Sequence, residues 1–348
     1  MRQTVCILFG GNSSEHEVSR ASASNVLRQI DQDKFNVITV GITKSGSWYV
    51  TQASPDEIKS GAWEKRRNKA CVPSPDPKHH GLLAFNKNGD YSVTRVDVIY
   101  PVLHGKNGED GTVQGLFSLA GIPCVGPGIL GSSLCMDKVS TKVVLEAGGI
   151  PVTEGFFVRK NYDAEDVHKK ITESFGYPAV IKPSRAGSSV GVSLVNNQAE
   201  LTKALEVAAC EDDKILIERA VDAREIECAV LGTTEAPEAS CLGEIIKEGM
   251  YDYNTKYVAD TARPEIPANL SPELSEKIRE MACRAFTLTE CSGEARVDFF
   301  IDRKTGEVTL NEINTLPGFT DISMYPMLWG ASGINYTDLI TRLIELAR

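Results

Sequence analysis

A charged hairpin near the C-terminus carries the side chains best suited to bind a metal ion and a phosphate. The segment "RVDFFIDRKTGEVTLNEIN" alternates apolar and polar residues on both sides of a turn at residues 304–306. If Asp302 pairs with Val308, the antiparallel register places Asp298 opposite Glu312. Carboxylates about 5 Å apart on neighbouring strands repel each other unless a cation lies between them. The hairpin therefore predicts a Mg²⁺ site serving a phosphate substrate, with a solvated charged hairpin as the alternative.

The same register adds a cation and an amide to this face. It places Arg296 opposite Asn314, because strand side chains alternate with a period of two residues. The strand then stops at "EINTLPGFT", where Pro317 and Gly318 turn the chain away from the sheet. We therefore expect the polar groups to lie at the mouth of a sheet.

A second candidate is the loop "KPSRAGSSVG" at residues 182–191. Its Gly and Ser residues supply backbone N–H groups and hydroxyls that can surround phosphate oxygens, and Lys182 adds charge at the end of an apolar strand. The segment lacks the GxxxxGK[ST] pattern of a Walker A loop. A flexible turn is the alternative reading, and Lys182 favours the phosphate site because Lys rarely ends an apolar run without a partner.

Three further polar residues are weaker candidates. Glu218 and Glu225 in "IERAVDAREIE" could accept hydrogen bonds from an adenine amino group or a ribose hydroxyl, or could be ordinary surface residues. His104 follows the apolar run "VIYPVL", at the position where α/β proteins place their ligand sites, although a structural histidine is the commoner case.

Alternating strands and helices must position these groups. "TVCILFGG" and "FNVITVGIT" are predicted strands, and the helix between them has Ser13 or Ser14 as its cap with Glu15 and Glu17 in its first turn. This alternation predicts a parallel sheet flanked by helices. Residues 51–90 are polar and are predicted to be irregular. A second unit is predicted to begin near residue 126, and strands dominate from about residue 215.

Composition excludes several classes of protein. At 348 residues the chain is predicted to form two or three domains, and 42% hydrophobic and 24% charged residues are typical of a soluble globular protein. A net charge of −10 argues against a nucleic-acid partner, and no apolar run is long enough to span a membrane. Nine scattered cysteines suit a reducing compartment, so we expect a cytoplasmic protein. The first strand is followed by "GGNSSEHE" rather than GxGxxG, which disfavours a dinucleotide-dependent oxidoreductase.

Seven motifs in order resemble those of the D-alanine–D-alanine ligases of the ATP-grasp superfamily, from residue 4 to the C-terminus. They are "FGGNSSEHEVS", "HGKNGEDGTVQG", "MDK", "KPSRAGSSVG", "YDYNTKY", "RVDFF" and "NEINTLPGFTDISMYP". The resemblance implies an α/β (α+β) protein of three domains with the ATP-grasp architecture. The implied domains are an N-terminal Rossmann-like parallel-sheet domain at 1–125, a central domain at 126–215 and a C-terminal domain at 216–348. It also implies a homodimer, D-alanine and ATP as substrates, and ATP bound between the central and C-terminal domains.

The resemblance also implies roles for individual residues. The residues implied to bind ATP are Lys138, Lys182, Glu218, Arg219, Glu225, Tyr251 and Lys256. Asp298, Glu312 and Asn314 resemble the ligands of two Mg²⁺ ions, with Mn²⁺ as an alternative metal. Residues 249–262 resemble a mobile loop that closes over the site.

For the amino acids, Glu15 is similar to the residue that holds the ammonium of the first D-alanine, with His104 close by. Ser188 and Tyr257 resemble the hydrogen-bond partners of Glu15. Arg296 and the N–H of Gly318 are implied to face the reacting carboxylate, while Ser323 and Met324 are implied to line the second amino-acid pocket.

Three alternatives compete with this interpretation. The nearest is a ligase of the same fold that takes D-serine or D-lactate second; intact Lys256-Tyr257 argues against D-lactate, and an apolar Met324 suits the methyl group of D-alanine. A nucleotide-binding regulator without catalysis would be expected to lack one of the residues implied to act on phosphate or carboxylate, and this chain has all of them. Another ATP-grasp ligase, such as a carboxylase subunit, would lack "SSEHEVS" and "YDYNTKY".

Overall fold

The protein is described by a computed structural model that covers residues 2–246 and 263–347. Within these ranges the chain forms three β-sheets, each accompanied by helices. No helix in this part of the chain is long and apolar enough to cross a membrane. The mixed α/β class predicted from the sequence is therefore confirmed, and the three sheets frame the candidate site.

The first sheet belongs to the N-terminal unit. Its strands are β1 (Gln3–Gly10), β2 (Phe35–Ile42), β3 (Trp48–Thr51), β4 (Lys69–Pro73), β5 (Gly81–Phe85), β6 (Tyr91–Arg95) and β7 (Val98–Val102). The spatial order is β6-β5-β4-β3-β2-β1-β7, and β1 pairs in parallel with both β2 and β7. Strands β3 to β6 continue the sheet in antiparallel fashion. The prediction of an irregular segment at 51–90 was wrong, because its short strands pair with neighbours despite their polar, Pro-containing sequence.

Three helices accompany this sheet: α1 (His16–Gln29), α2 (Pro55–Ser60) and α3 (Thr112–Leu119). The predicted cap of α1 was wrong, because Glu15 is the N-cap residue and its side chain makes no capping bond. Ser13 instead accepts a hydrogen bond from the backbone N–H of Glu15, at 3.1 Å. Glu17 lies in the first turn as predicted. The Glu15 side chain is thereby left for other contacts.

The central unit carries a four-stranded antiparallel sheet. Its helices and strands are α4 (Ile129–Met136), α5 (Lys138–Ala147), β8 (Gly155–Arg159), α6 (Ala164–Ser174), β9 (Ala179–Pro183), β10 (Ser193–Val195), α7 (Gln198–Glu211) and β11 (Lys214–Arg219). The order is β10-β9-β11-β8. The boundary predicted at residue 215 falls inside β11, so we propose that this domain ends after that strand.

The C-terminal unit carries the third sheet, ordered β14-β13-β12-β15-β16 among the described strands. Its elements are β12 (Ala223–Thr233), β13 (Ala236–Ile246), β14 (Arg263–Glu265), α8 (Pro272–Leu288), β15 (Gly293–Asp302), β16 (Val308–Asn314), α9 (Met324–Ala331) and α10 (Tyr336–Leu346). All pairs in this sheet are antiparallel.

The hairpin of β15 and β16 has two registers separated by a bulge. Near the turn, Val308 pairs with Ile301, so the predicted pairing of Val308 with Asp302 was wrong. Beyond the bulge, Asp298 lies opposite Glu312 and Arg296 opposite Asn314, as predicted. One extra residue on β16 corrects the offset, which is what a β-bulge does.

The apolar cores divide the molecule differently from the sheets. One buried cluster joins side chains of the N-terminal sheet, such as Val5 and Tyr100, to residues of α9 and α10, such as Tyr325 and Leu343. A separate cluster lies between the central sheet and helices α6 and α7 and contains only residues of that unit, for example Ile181. The N-terminal and C-terminal units therefore share a core, and the central sheet with α6 and α7 has its own. Helices α4 and α5 of the central unit instead pack against the C-terminal sheet, through Cys135 and Leu145.

Candidate active site

A cleft of about 390 Å³ lies where the three units meet. Most of the residues predicted to act lie along its walls: Glu15, His104, Lys138, Lys182, Ser188, Glu218, Arg219, Arg296, Glu312, Asn314, Gly318 and Ser323. These residues are separated by up to about 300 positions in the chain, so the fold brings them together. Clefts of this kind at the junction of domains are the usual location of ligand sites.

The central unit supplies a basic end to the cleft. Glu218 on β11 is 3% exposed and lies between two lysines. Its Oε2 is 2.5 Å from Lys182 Nζ, and its Oε1 is 2.5 Å from Nζ of Lys142 on α5. Burial alone would raise the pKa of Glu218, but the two ammonium groups outweigh burial and lower it. Two positive charges therefore share one carboxylate, which leaves this end of the cleft electropositive.

The contact between Lys142 and Glu218 is an ion pair without hydrogen-bond geometry. Burial lowers the pKa of Lys142, and the attraction of Glu218 opposes that shift. The two groups nevertheless attract each other strongly, because opposite charges at this separation attract whatever their angle.

Lys138 reaches the cleft from the first turn of α5. Asp137 caps this helix by accepting from the Ser140 N–H at 3.0 Å, and Lys214 holds the other oxygen of Asp137 at 2.5 Å. The Lys138 ammonium donates to the backbone carbonyl of Ala186 at 2.9 Å. It also lies 3.6 Å from Glu312 Oε2. Lys138 therefore lies between the loop at residues 182–191, called the Ser/Gly loop below, and the charged hairpin of β15 and β16.

The Ser/Gly loop closes against the start of α1. Ser188 has a φ of 49°, a left-handed conformation that is uncommon for residues other than glycine. Its hydroxyl donates to Glu15 Oε1 at 2.5 Å, so the predicted contact between these two residues is present. A Cβ on Gly187 or Gly105 would lie 2.9 Å or 2.5 Å from Glu15 Oε2. The two glycines therefore let the backbone approach the Glu15 carboxylate from both sides.

The C-terminal hairpin supplies an acidic end. Arg296 binds Asp298 in a bidentate manner, with Nε 2.8 Å from Oδ1 and Nη2 2.8 Å from Oδ2. Asn314 donates to the same Oδ2 at 3.0 Å. Glu227, directly opposite Asp298 on β12, brings its Oε2 to 3.0 Å from Arg296 Nε. Three carboxylates, counting Glu312, therefore lie across three adjacent strands around one guanidinium.

These carboxylates repel one another. Burial raises the pKa of Glu227 to about 8; Arg296 opposes this shift, and the carboxylates of Asp298, Glu225 and Glu312 add to it. Burial also raises the pKa of Asp298, although Arg296 pulls it down. This end of the cleft therefore has more acidic groups than basic ones. The end around Glu218 has the opposite excess, because two lysines share one carboxylate there.

The donor set of this end fits a hard divalent cation. Asp298, Glu312 and Asn314 provide two carboxylates and an amide oxygen on paired strands, the oxygen ligands that Mg²⁺ prefers. Among the described residues, no three His, Cys, Asp or Glu side chains already converge as metal ligands. Both oxygens of Asp298 already accept hydrogen bonds from Arg296 or Asn314, so a metal at this position would compete with those donors.

His104 connects the floor of the cleft to the turn that carries Gly318. Its Nδ1–H donates to the Leu316 carbonyl at 3.0 Å, which leaves Nε2 to accept from the Ser22 hydroxyl at 3.1 Å. The Ser22 oxygen in turn accepts from the Phe319 N–H at 3.1 Å. Burial lowers the pKa of His104. A neutral imidazole therefore fixes both sides of Gly318, and in this structure its two nitrogens are already engaged.

A partly buried acid, Glu109, lies in the loop that follows this histidine. Glu109 Oε2 accepts from the Gly105 N–H at 2.6 Å. Burial, with the nearby Glu15 carboxylate, raises the pKa of Glu109 to about 8, while hydrogen bonds from the backbone of Gly105 and Leu316 oppose the shift. The Glu109 side chain therefore ties the loop after β7 to the turn after β16.

Several predicted residues lie away from the cleft wall. Asp298 is covered by Arg296, and Glu225 does not line the cleft. Met324 is 5% exposed and belongs to the core shared by the first and third units, where a Cβ on Gly243 would approach its Cε to 2.3 Å. The position of Met324 therefore gives no information about the second substrate. The predictions for Tyr251, Lys256, Tyr257 and the loop 249–262 lie outside the described residues.

Four residues near the cleft were not predicted from the sequence: Ser22, Glu109, Lys142 and Glu227. Two of them had a local signal. Lys142 is four residues after Lys138 and so falls on the same helix face, and Glu227 follows Glu225 with strand spacing. Ser22 and Glu109 act through contacts with residues 316–319, which no local pattern indicates.

Comparisons with known proteins agree with this architecture. The family description "D-ala D-ala ligase N-terminus" matches residues 4–127, and "D-ala D-ala ligase C-terminus" matches residues 144–345. A D-alanine–D-alanine ligase of Acetivibrio thermocellus is 48% identical and covers 99% of this chain and 96% of its own length. That of Ruminiclostridium cellulolyticum is 50% identical over 99% of this chain and 95% of its own length.

Solved structures show the same fold. The D-Ala:D-Ser ligase VanG of Enterococcus faecalis superposes with a TM-score of 0.91 at 37% identity, over 99% of both chains. The D-alanine–D-alanine ligase of Coxiella burnetii gives a TM-score of 0.86 at 34% identity, over 99% of this chain and 95% of that one. The predicted ATP-grasp architecture is confirmed, and the chain belongs to the D-alanine–D-alanine ligase family.

Proposed function

We propose that this protein joins two D-alanine molecules into D-alanyl-D-alanine, with conversion of ATP to ADP and phosphate. The observation that carries the proposal is the cleft itself, which combines a basic end around Glu218, an acidic end around Arg296 and the carboxylate of Glu15. Such a cleft suits an anionic nucleotide, a divalent cation and a zwitterionic amino acid at the same time. Curated relatives about 48% identical along the whole chain carry the name of this activity.

In this proposal ATP lies between the central and C-terminal units. Lys138 and Lys182 bind the phosphates, while Glu218, Arg219 and Glu225 lie toward the adenosine. Asp298, Glu312 and Asn314 hold Mg²⁺, or Mn²⁺ in its place. The metal, when bound, neutralises negative charge on the phosphates during phosphoryl transfer.

The amino-acid chemistry proceeds in two steps. Glu15, fixed by Ser188, binds the ammonium of the first D-alanine, and a carboxylate oxygen of that molecule attacks the γ-phosphorus to give an acyl phosphate and ADP. The deprotonated amine of the second D-alanine then attacks the acyl carbon and phosphate leaves. Arg296 and the Gly318 N–H stabilise the oxyanion of the tetrahedral intermediate; loss of one such donor typically costs about 10²- to 10³-fold in rate.

The proposal also covers a closing loop, two residues beside the amino acids, and the assembly and location of the protein. We assign Tyr251, Lys256 and Tyr257 to a loop at 249–262 that closes over the acyl phosphate, because such an intermediate hydrolyses in water. His104 and Ser323 stand beside the amino-acid positions. We also propose a cytoplasmic homodimer that supplies the dipeptide for peptidoglycan synthesis and so for cell shape.

A second candidate is a ligase that takes D-serine as its second substrate. It is favoured by the likeness to the D-Ala:D-Ser ligase VanG, whose chain superposes with a TM-score of 0.91. Met324, whose apolar side chain was predicted to suit D-alanine, lies in the core and not along the described cleft. We favour D-alanine, because the curated relatives of higher identity are D-alanine–D-alanine ligases.

The test is ADP release by the purified protein with ATP and Mg²⁺, with the products identified by mass. The arms are D-alanine alone, D-alanine with D-serine, D-alanine with D-lactate, and L-alanine. We expect rapid ADP release and the dipeptide with D-alanine alone. If the main product contains D-serine or D-lactate, that molecule rather than D-alanine is the second substrate. If no amino acid stimulates ADP release, the ligase proposal is overturned.

A further inference from the structure

Two cations compete for the carboxylate of Asp298 in the proposed function. As a metal ligand it needs free oxygen lone pairs, yet in this structure Arg296 occupies both of its oxygens at 2.8 Å and Asn314 adds a third bond. A guanidinium and a divalent cation repel each other at the distances that one carboxylate imposes. A metal that takes the place of the guanidinium on these oxygens therefore displaces Arg296 from Asp298.

An arginine that leaves its carboxylate in this position needs another partner. The Arg296 side chain is 23% exposed, and removal of its counter-charge would leave a largely buried cation uncompensated, which is strongly destabilising. Arg296 must also stay at the cleft if it is to meet the oxyanion of the reaction. The replacement partner therefore has to lie within reach of the present position of Arg296.

Glu227 meets these conditions. Its side chain is 13% exposed, and its Oε2 lies 3.0 Å from Arg296 Nε. The contact lacks hydrogen-bond geometry, and this buried oxygen has no hydrogen-bond partner in the described part of the chain. Glu227 projects from the β12 position directly opposite Asp298, so both carboxylates flank the same guanidinium. A rotation of the Arg296 side chain is enough to complete a hydrogen bond to Glu227.

We propose that Glu227 is a positioning residue that takes Arg296 from Asp298 when the metal binds. Glu227 thereby frees Asp298 for the metal and keeps the guanidinium beside the reacting carboxylate. This inference rests on the proposed function, because it takes Asp298 as a metal ligand and Arg296 as an oxyanion donor. It assigns Glu227 no direct contact with the metal or the substrate.

The test is Mn²⁺ binding in the presence of a non-hydrolysable ATP analogue, measured by titration calorimetry and by electron paramagnetic resonance. In Glu227→Gln, Arg296 stays on Asp298 and competes with the metal, so we expect Mn²⁺ to bind about tenfold more weakly, the range found for residues that act behind a metal ligand. The analogue should bind equally well to both proteins without metal. Glu227→Asp should recover part of the loss.

A coupling measurement separates this role from others. In an Arg296→Met background no arginine competes for Asp298, so Glu227→Gln should not change Mn²⁺ affinity further; Arg296→Gln replaces the background if the Met variant does not fold. Equal weakening in both backgrounds would make Glu227 a metal ligand and overturn the proposal. Glu244→Gln, which breaks an ion pair with Arg224 on the same sheet, is the matched control and should bind Mn²⁺ normally.

Two negative results have different meanings. Wild-type protein that makes the dipeptide and binds Mn²⁺, together with a Glu227→Gln variant that binds Mn²⁺ equally well, would overturn the role of Glu227 alone. Wild-type protein that fails to bind Mn²⁺ with the nucleotide would overturn both the metal site and the role of Glu227. Failure to make any peptide product, by contrast, would contradict the proposed function.

Discussion

The two ends of the cleft are buried ion networks with opposite compositions. At the basic end, Lys142 and Lys182 share the single carboxylate of Glu218. At the acidic end, the carboxylates of Glu227 and Asp298 share the single guanidinium of Arg296. Each network has an excess of ionisable groups of one sign, and burial makes full ionisation of that excess costly unless a ligand of the missing sign arrives. The difference between the ends therefore supports the two ligands proposed above: an anion at the basic end and a cation at the acidic end.

The comparison also shows how the two networks are joined. Lys138 lies 3.6 Å from Glu312 and so stands between them. A nucleotide with a divalent cation on its phosphates likewise carries negative charge next to positive charge, so its phosphates match the basic end and its cation matches the acidic end. The cleft is in this sense complementary to a metal–nucleotide complex rather than to either partner alone.

The largest effect is expected at the basic end. Glu218→Gln leaves two buried lysines without a counter-charge, so we expect the free energy of unfolding to fall by about 3–5 kcal/mol. Pyrophosphate should restore more stability to this variant than to the wild type, because it supplies the missing negative charge. Urea denaturation with and without pyrophosphate measures both effects. Glu244→Gln is the control and should show no added response, and a Glu218→Gln variant as stable as the wild type would contradict the comparison.

The acidic end should respond to the opposite ligand. Arg296→Met leaves carboxylates facing one another, so we expect a loss of about 3 kcal/mol in the free energy of unfolding. Mg²⁺ should raise the melting temperature of this variant more than that of the wild type, while dipeptide formation falls by about 10²- to 10³-fold. Differential scanning fluorimetry and a product assay measure these changes. Arg224→Met, which also loses an ion pair, should not gain from Mg²⁺.

A third prediction concerns pH and the acid beside His104. The pKa of Glu109 is raised to about 8 in the folded protein, above its ordinary value near 4.5. The folded protein therefore holds a proton that the unfolded chain releases, and stability falls as pH rises between these values. Relative to Glu109→Gln, we expect the wild type to lose about 1.4 kcal/mol of unfolding free energy per pH unit between pH 5 and pH 7. Urea denaturation at several pH values measures the difference, and parallel curves would refute it.

The smallest effect is expected in the uncharged network around Gly318. Ser22→Ala removes the hydroxyl that joins His104 Nε2 to the Phe319 N–H, so two buried polar groups lose their partner. We expect a loss of about 1–3 kcal/mol in unfolding free energy and about a tenfold fall in kcat. Ser24→Ala on the same helix is the control, because the buried Ser24 hydroxyl has no hydrogen-bond partner among the residues that the structure describes and its removal should cost little. Equal effects of both changes would show that the network does not position the turn.

Sequence patterns predicted those parts of the site that depend on local geometry. Strand alternation was enough to place Asp298, Glu312, Arg296 and Asn314 on one face, although the bulge was not predicted. The pairing assumed at the turn was one residue out, and the extra residue on β16 restored the register where it mattered. No glycine or proline marks that bulge, so the alternation alone could not indicate it.

Other features depend on contacts between distant segments. Ser13 was a reasonable helix cap by residue type, but tertiary contacts assign the Glu15 side chain to Ser188, 173 positions away. Met324 was placed at the second pocket by its motif, whereas it begins α9 and its side chain enters the shared core. Propensity and periodicity describe residues that are close in the sequence. The contact of Glu15 with Ser188 and the packing of Met324 in the shared core both join residues that are far apart in the sequence.

The shared core has a consequence for how the molecule moves. Because the N-terminal and C-terminal units bury apolar side chains in one cluster, a hinge between them would expose that cluster to water. The central sheet with α6 and α7 has a core of its own, and its Ser/Gly loop reaches the N-terminal unit through the hydroxyl of Ser188. We therefore expect opening of the cleft to be a rigid-body swing of the central sheet, with slow amide hydrogen exchange across the other two units and faster exchange at residues 184–192. Nucleotide entry would then break few apolar contacts, and its rate would be set by that swing.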